Sequence, residues 1–377
     1  MSAEPIRKLR TALVRWYRKH ARDLPWRRTS DPYAIWVSEV MLQQTTVAVV
    51  IPYWDRFLKR FPTVAALARA KEDEVLALWT GLGYYRRARS LREGAISVME
   101  RHDGSLPRDV ETLTELPGIG RYTAGAIASL AYAEPAPVVD GNVRRVLSRL
   151  FAIDGRGASA DKEHWRIAEQ LVRGPNPGDL NQAVMELGAL ICTPRAPRCD
   201  ACPAASLCAA RALGTPEAFP APTPRPASRK LPVAVAWIEK RGRVLLEAHH
   251  EDGPLRGSWD LPATAIAPEE SAGSAIVKAL KARHRINAKP AGSIARASHS
   301  ILATRLDLTV VETTVGPVRS GERLRWIDLM RLGDVPTSSA TMKIVRAVRS
   351  QKVSNAARSA SSISASSSSG SSARAKA

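Results

Sequence analysis

The sequence predicts a mostly α-helical protein with a smaller α+β module at its C-terminal end, on three observations. Apolar residues recur with helical period through the first two hundred residues. A stretch at 214–232 then carries six prolines, which stiffen it into an extended linker. Beyond it the apolar residues alternate, as they do in half-buried strands. The chain has 377 residues, 45% of them hydrophobic and 24% charged, enough apolar material for a real core and length for two domains plus extras.

The elements follow in order. Leu9, Leu13, Trp16 and Tyr17 mark a first helix with basic residues on its other face. Asp31-Pro32 is a helix start, a capping residue followed by proline at the first helical position, and helical period holds from Tyr33 to Thr46. Further helices are expected at 47–60, 63–79, 86–101, 109–116, 121–132, 142–151, 161–172 and 178–191, separated by Gly, Pro and Asn-Pro-Gly breakers. In the C-terminal module, Val233–Ile238 and Val244–Glu247 flank Arg241-Gly242 as a hairpin. Arg305–Val311 alternates again, and Ser271–Arg285 is a helix between strands. The expected domains are 1–213, a proline-rich linker 214–230, an α+β domain 231–350 and a disordered Ser/Ala-rich tail 351–377.

Composition excludes some functions and favours others. No stretch of 18 or more uncharged apolar residues occurs, so no membrane span or membrane partner is expected. Met1–Arg10 lacks an apolar secretory core. The net charge of +20 favours a polyanionic partner, because Lys and Arg that neutralise phosphates release counterions. A solubility surface explains the charge alone equally well. All four cysteines fall between Cys192 and Cys208, which implies a reducing compartment, here a bacterial-type cytoplasm. A monomer is expected.

The cysteines are the strongest chemical signal. Cys192, Cys199, Cys202 and Cys208 are spaced C-x6-C-x2-C-x5-C, and four thiolates in so short a loop must face one centre. A [4Fe–4S] cluster suits this spacing, with zinc as the alternative. Arg195 and Arg198 between the first two ligands are placed to meet a phosphate. Leu116-Pro-Gly-Ile-Gly120 joins two helical segments; Gly118 and Gly120 let backbone N–H groups open the next helix towards a phosphate. A plain helical corner accounts for the same five residues.

Together, this hairpin, Asp140 twenty residues beyond it and the cysteine loop resemble the endonuclease III superfamily of helix-hairpin-helix DNA glycosylases. Trp36-Val-Ser-Glu-Val-Met-Leu-Gln-Gln-Thr45, Gly81-Leu-Gly-Tyr-Tyr85 and Val139-Asp-Gly-Asn-Val143 resemble the adenine DNA glycosylases of the MutY type, densely over 5–210 and more loosely over 230–345. The resemblance implies base excision repair on double-stranded DNA containing A:8-oxoguanine or A:G mispairs, an iron–sulfur cofactor, and a Nudix-like C-terminal domain.

Cleaving a glycosidic bond to adenine needs an acid for the purine and a carboxylate for the sugar cation. The resemblance assigns these roles to Glu39 and Asp140, with Asn142 nearby. On residue type alone Glu39 would face water on its helix, and Asp140 is a helix N-cap, a role compatible with the second. Tyr122 occupies the position of a lysine in bifunctional relatives; a tyrosine forms no Schiff base, so the resemblance implies a monofunctional enzyme. It also points to Gln44 and Tyr84 as groups that fill the gap left by an extruded base, and to Arg27 in the purine pocket. Tyr84 and Tyr85 as interhelical packing is the plainer reading.

Gly257-Ser-Trp-Asp-Leu-Pro262 resembles the start of the Nudix-like core. Its helix carries only Glu269 and Glu270, too few for a carboxylate cage around Mg²⁺, so a lesion reader rather than a hydrolase is expected. In place of the family's Phe-Ser-His loop stand Ala297, Ser298 and His299, of which Ser298 and His299 remain able to hydrogen-bond the oxidised guanine. The rival functions are a bifunctional endonuclease III-type enzyme on oxidised pyrimidines and a non-catalytic DNA-damage binder.

Overall fold

The computed structural model describes residues 3–155, 157–221, 229–250, 255–301 and 303–352. Part of the expected linker, 222–228, and the expected tail beyond 352 lie outside them. The chain divides into two units, Met1–Val75 with Arg86–Arg225, and Leu76–Tyr85 with Pro226–Ala377. This division differs from the expected first domain in two places. Leu76–Tyr85 groups with the C-terminal unit. The start of the expected linker belongs to the helical one, where Glu217 accepts from the Ala196 N–H at 2.7 Å and Phe219 O from Arg149 Nε at 2.9 Å.

The helical unit contains α1 (Ala3–His20), α2 (Pro32–Leu42), α3 (Val47–Arg60) and α4 (Val64–Arg69). Helix α5 (Glu72–Trp79), which the division cuts after Val75, comes next, then α6 (Arg86–Arg101), α7 (Val110–Thr114), α8 (Arg121–Tyr132), α9 (Gly141–Phe151), α10 (Ala158–Val172), α11 (Pro177–Leu190) and α12 (Ala209–Ala212). Two expectations fail here. The single helix expected over 63–79 breaks at Ala70, whose ψ is 146°; Glu72, Asp73 and Glu74 then favour a fresh helix N-terminus, where acidic side chains meet the positive end of the dipole. Helix α2 stops at Leu42 instead of Thr46. The Arg87 guanidinium takes up the carbonyls of Val40, Met41 and Gln43 at 2.7, 3.0 and 2.6 Å, which satisfies the orphan acceptors of a helix end. Gln44 follows with φ of +58°.

One core of this unit joins α1, α8, α9, α10 and α11 through Leu13, Ala126, Val146, Leu147, Ile167 and Leu187. Cys192, Cys202 and Cys208 pack against its edge. The hairpin forms as expected: Gly118 has φ of +78°, and a Cβ there would lie 2.6 Å from Ser90 Cβ, so glycine is required twice over.

The C-terminal unit contains β1 (Arg229–Trp237), β2 (Glu239–Lys240), β3 (Arg243–Ala248), β4 (Trp259–Asp260), β5 (Ala263–Ala265), α13 (Ala272–His284), β6 (Ala288–Ile301), β7 (Thr304–Val315), β8 (Leu324–Asp328) and α14 (339–352). One sheet has the order β5-β1-β7-β6, with β1 and β7 parallel; the other has β3 between β2 and β4 and also paired with β8. The two-residue alternation of β1 is used on both sides. Val233, Val235 and Trp237 share a core with Ile344, Val345 and Val348 of α14, while Ala234, Ala236 and Ile238 share one with Ala275, Ile276 and Leu280 of α13. The expected hairpin is narrower than its flanks suggested. The ladder across Arg241-Gly242 takes in Glu239 and Lys240, with one further bond from the Leu245 N–H to Ile238 O at 3.0 Å, because Val233–Trp237 is committed to β7. Among the described residues no helix is long and apolar enough to cross a membrane.

Candidate active site

Helix α2 brings Glu39 into the interior. Asp31 caps it, accepting from the Tyr33 N–H at 3.0 Å, and Pro32 opens it. Every residue from Tyr33 to Met41 is buried, so the helix is enclosed on all sides and has no apolar stripe with a wet back. Glu39 is only 5% exposed. Its carboxylate accepts from the Tyr122 hydroxyl at 2.8 Å. Burial pushes its pKa up to about 7; the Tyr122 bond opposes that, the nearby Asp140 charge adds to it, and Arg27 works against it. A glutamic acid that keeps its proton at neutrality is what a general acid requires.

Tyr122 sits in the first turn of α8, immediately after the hairpin. Its hydroxyl also lies 3.4 Å from the Met185 sulfur. Burial, then the charges of Glu39 and Asp140, raise its pKa well above the usual range, so it remains a neutral donor.

Asp140 caps α9, accepting from the Val143 N–H at 2.6 Å through Oδ1. Its Oδ2 accepts from the Asn142 amide at 3.1 Å. Asn142 Oδ1 in turn accepts from Arg145 at 2.9 Å, and the same guanidinium donates to the carbonyls of Cys192 and Gly188 at 2.8 and 2.7 Å. Asp140 is thus both a cap and a carboxylate at the cleft.

Glu39, Tyr122, Asp140, Asn142, Arg27 and Gln44 line one cleft of about 840 Å³. Arg27 is locked within it. It donates to Gln182 at 2.9 Å, to Arg22 O at 3.0 Å and to Glu186 at 2.9 Å, and it stacks 5.3 Å from the Tyr17 ring centroid. Glu186, 1% exposed, also accepts three bonds from Arg22. Burial would raise its pKa, but the Arg22 and Arg27 bonds outweigh burial and hold it at about 2. Sequence reasoning missed Glu186, Gln182, Met185 and Arg145. The signal was present in α11, where Asp179, Gln182 and Glu186 recur at helical spacing inside a largely apolar helix.

The remaining expected residues are spread more widely. Gln44 is exposed in the turn after α2. Tyr84 belongs to the Leu76–Tyr85 segment, 42% exposed with φ of +51°. Its neighbour Tyr85 is buried and donates to Thr337 O. Gly120 caps α8 with no side chain at the helix end, which leaves its first N–H groups open. Ser298 and His299, expected in a loop, lie instead in β6, paired opposite Asp307 and Leu306 of β7; cross-strand pairing extends past the point where the local sequence suggested a loop. The His299 imidazole is half-buried. Burial, then the positive charge of Lys343, lowers its pKa, against the pull of Asp260. Glu269 and Glu270 precede α13, which Ser271 caps, and Glu270 pairs with Lys278 at 2.7 Å.

The four cysteines are free, half-buried and line one hollow together with Arg149, Arg198 and Arg211. Among the described residues no three His, Cys, Asp or Glu side chains converge closely enough to hold a single metal ion. The donor set surrounds a space with apolar walls from Val146, Leu150, Leu187 and Ile191. Arg198 is exposed and donates to Leu190 O at 2.7 Å through one terminal nitrogen.

Residues 37–173 match the HhH-GPD superfamily of base excision DNA repair proteins. The adenine DNA glycosylase of Homo sapiens is 37% identical over 410 residues, spanning 91% of this chain and 74% of that protein. The adenine DNA glycosylase of Mycolicibacterium smegmatis is 45% identical over 219 residues, 57% of this chain and 72% of that protein. Among solved structures, a thermostable thymine-DNA glycosylase aligns with a TM-score of 0.50 and 31% identity, covering 55% of this chain and 96% of its own.

Proposed function

Because the chain belongs to the adenine DNA glycosylases, base excision repair enzymes of the HhH-GPD superfamily, we propose that it removes adenine opposite 8-oxoguanine or guanine and leaves an intact strand with an abasic site. The observation that carries the mechanism is the Glu39–Tyr122 hydrogen bond in a cleft shared with Asp140.

Glu39, protonated near neutrality, gives its proton to a ring nitrogen of the extruded adenine. The C1′–N9 electron pair leaves with the base. The sugar cation meets the Asp140 carboxylate, whose Oδ1 stays tied to the helix N-terminus while Asn142 orients Oδ2. Water then adds at C1′ and gives its proton to the Glu39 carboxylate, which restores the acid. Tyr122 orients Glu39 and has no amine with which to attack the sugar, so no β-elimination follows. Arg27, fixed by Glu186 and Gln182, supplies donors beside the base. Gln44 and Tyr84, both exposed, are the groups for the vacated stack.

The cysteine loop fits a [4Fe–4S] cluster: four soft thiols, half-buried around one apolar-walled hollow, with cations on its rim. Cys192, Cys199, Cys202 and Cys208 would hold it. Bound there, such a cluster would cross-link the loop that these four residues span. The C-terminal α+β unit is assigned as the Nudix-like reader, with Ser298 and His299 as donors to the oxidised base.

A duplex with a central A:8-oxoguanine pair tests the proposal. Free adenine, with strand scission only after alkali, is the expected product. Scission without alkali would favour the bifunctional rival, and absence of released adenine the silent binder.

A further inference from the structure

Arg149 occupies an unusual electrostatic position. It lies near the end of α9, the helix that Asp140 caps, and is 2% exposed. Its Nε donates to Phe219 O at 2.9 Å. One terminal nitrogen donates to Thr193 O at 2.7 Å and lies 3.3 Å from Cys192 Sγ; the other donates to Pro194 O at 3.0 Å. Its own carbonyl accepts from Cys208 Sγ at 3.3 Å. One residue therefore touches the first and last cysteines of the loop.

The hydrogen-bonding capacity of this guanidinium is used, but its charge is not answered. Its acceptors are neutral carbonyls and one sulfur, and among the described residues it forms no ion pair with a carboxylate. The two other arginines on the hollow differ. Arg211 pairs with Asp200 at 3.0 Å, and Arg198 is exposed to solvent. A buried cation without a counter-charge is costly, because neutral dipoles replace only part of its hydration. The sulfur set offers one, with Cys192 Sγ 3.3 Å from the guanidinium. Four cysteine thiolates around a [4Fe–4S]²⁺ core carry a net charge of 2−.

We propose that Arg149 is the buried counter-cation of the group held by the cysteine loop, and that it biases a bound cluster towards its electron-rich state. The proposal rests on the [4Fe–4S] reading. Removing one electron, to an electrode or to ferricyanide, lowers the net negative charge beside the guanidinium from 2− to 1−. A fixed cation opposes that loss, so Arg149 protects the cluster against oxidation. It is a positioning and tuning residue; it touches neither DNA nor the reacting sugar.

The test uses full-length holoprotein. Iron, sulfide and the visible absorbance of the wild type decide the cluster reading itself: their absence removes that reading and leaves this proposal without a subject. With the cluster present, Arg149→Gln should make oxidation about tenfold more favourable, a shift of about 59 mV to more negative potential for a one-electron couple, read by electrochemistry. Arg149→Lys keeps the charge while losing the planar fork, and its potential should stay near the wild type even if a chelator extracts iron faster. An unshifted potential in a loaded Arg149→Gln protein would overturn the proposal. If Arg149→Gln fails to retain iron, the lysine variant decides. Retention by Arg149→Lys supports the counter-charge, and equal loss from both variants makes Arg149 a neutral strut for the loop.

Discussion

The cleft around Glu39 and the strand around His299 both present titratable groups, yet the fold holds them very differently. In the cleft each polar side chain is fixed by another: Tyr122 to Glu39, Asn142 to Asp140, Arg145 to Asn142, Glu186 to Arg27. On β6, Ser298 and His299 sit half-buried in an outer strand of their sheet, where Lys343 Nζ donates to the Ser298 carbonyl at 2.5 Å and no side chain among the described residues fixes the His299 ring. Bond cleavage demands groups held to within a fraction of an ångström and pKa values displaced by burial. Reading a base demands donors that the base can reach. The contrast predicts that substitutions in the cleft cost rate, whereas those on the strand cost discrimination.

Glu39→Gln should have the largest effect, a fall in single-turnover adenine release of about 10³-fold, within the usual span for a general acid. The same substitution should stabilise the fold at neutral and higher pH. The folded pKa of about 7 lies above the ordinary 4.5, so the folded protein binds this proton more tightly than the unfolded chain. That contribution to stability is complete below about 4.5 and is lost as pH rises to about 7, amounting to about 3 kcal/mol. Denaturant unfolding at pH 5 and pH 8 should show the Gln variant gaining on the wild type only at pH 8. A wild-type advantage at pH 8 would mean that Glu39 is not buried as a neutral acid.

Asp140→Asn should come next, with release falling by about 10²-fold. Asparagine caps a helix as well as aspartate, so the melting temperature should hardly move and the loss isolates the charge. An unchanged rate would reduce Asp140 to a cap.

The pH profile sharpens the contrast further. Wild-type release should decline about tenfold per pH unit above about 7, as Glu39 loses its proton. Tyr122→Phe removes a hydrogen bond to the ionised carboxylate, so the Glu39 pKa should rise and this decline begin at higher pH. A decline moved to lower pH would refute the assigned direction of that bond.

The smallest effect is expected on the strand. Ser298→Ala combined with His299→Ala should leave adenine release from A:G almost unchanged and reduce the preference for A:8-oxoguanine by less than tenfold. Loss of activity on both substrates alike would break the division between the two regions.

Much of this was legible in the chain because its signals are local. The boundaries 47–60, 86–101 and 121–132 coincide with α3, α6 and α8, where periodicity and breakers lie within a few residues of each helix end. The triple acid Glu72–Glu74 was an equally local sign of a new helix, overridden by apolar periodicity that ran through it. The four cysteines and the hairpin glycines stood out by spacing, whereas Glu39, Tyr122 and Asp140 were singled out through the motifs that carry the family resemblance.

Other features needed the folded chain. Helix α2 ends at Leu42 because Arg87, more than forty residues later, claims its last carbonyls. Glu186 matters because Arg22 and Arg27, 164 and 159 residues away, converge on it. His299 lies on a strand because β7 pairs with it. Local signals set which helices form, which chemistry is available and where the thiols cluster, since capping, period and residue type act over a few positions. Packing set the rest: that Glu39 is enclosed enough to hold its proton near neutrality, and that Arg149 faces sulfur with no carboxylate paired to it among the described residues. Desolvation and charge pairing depend on what packs around a group, and those neighbours come from distant parts of the chain.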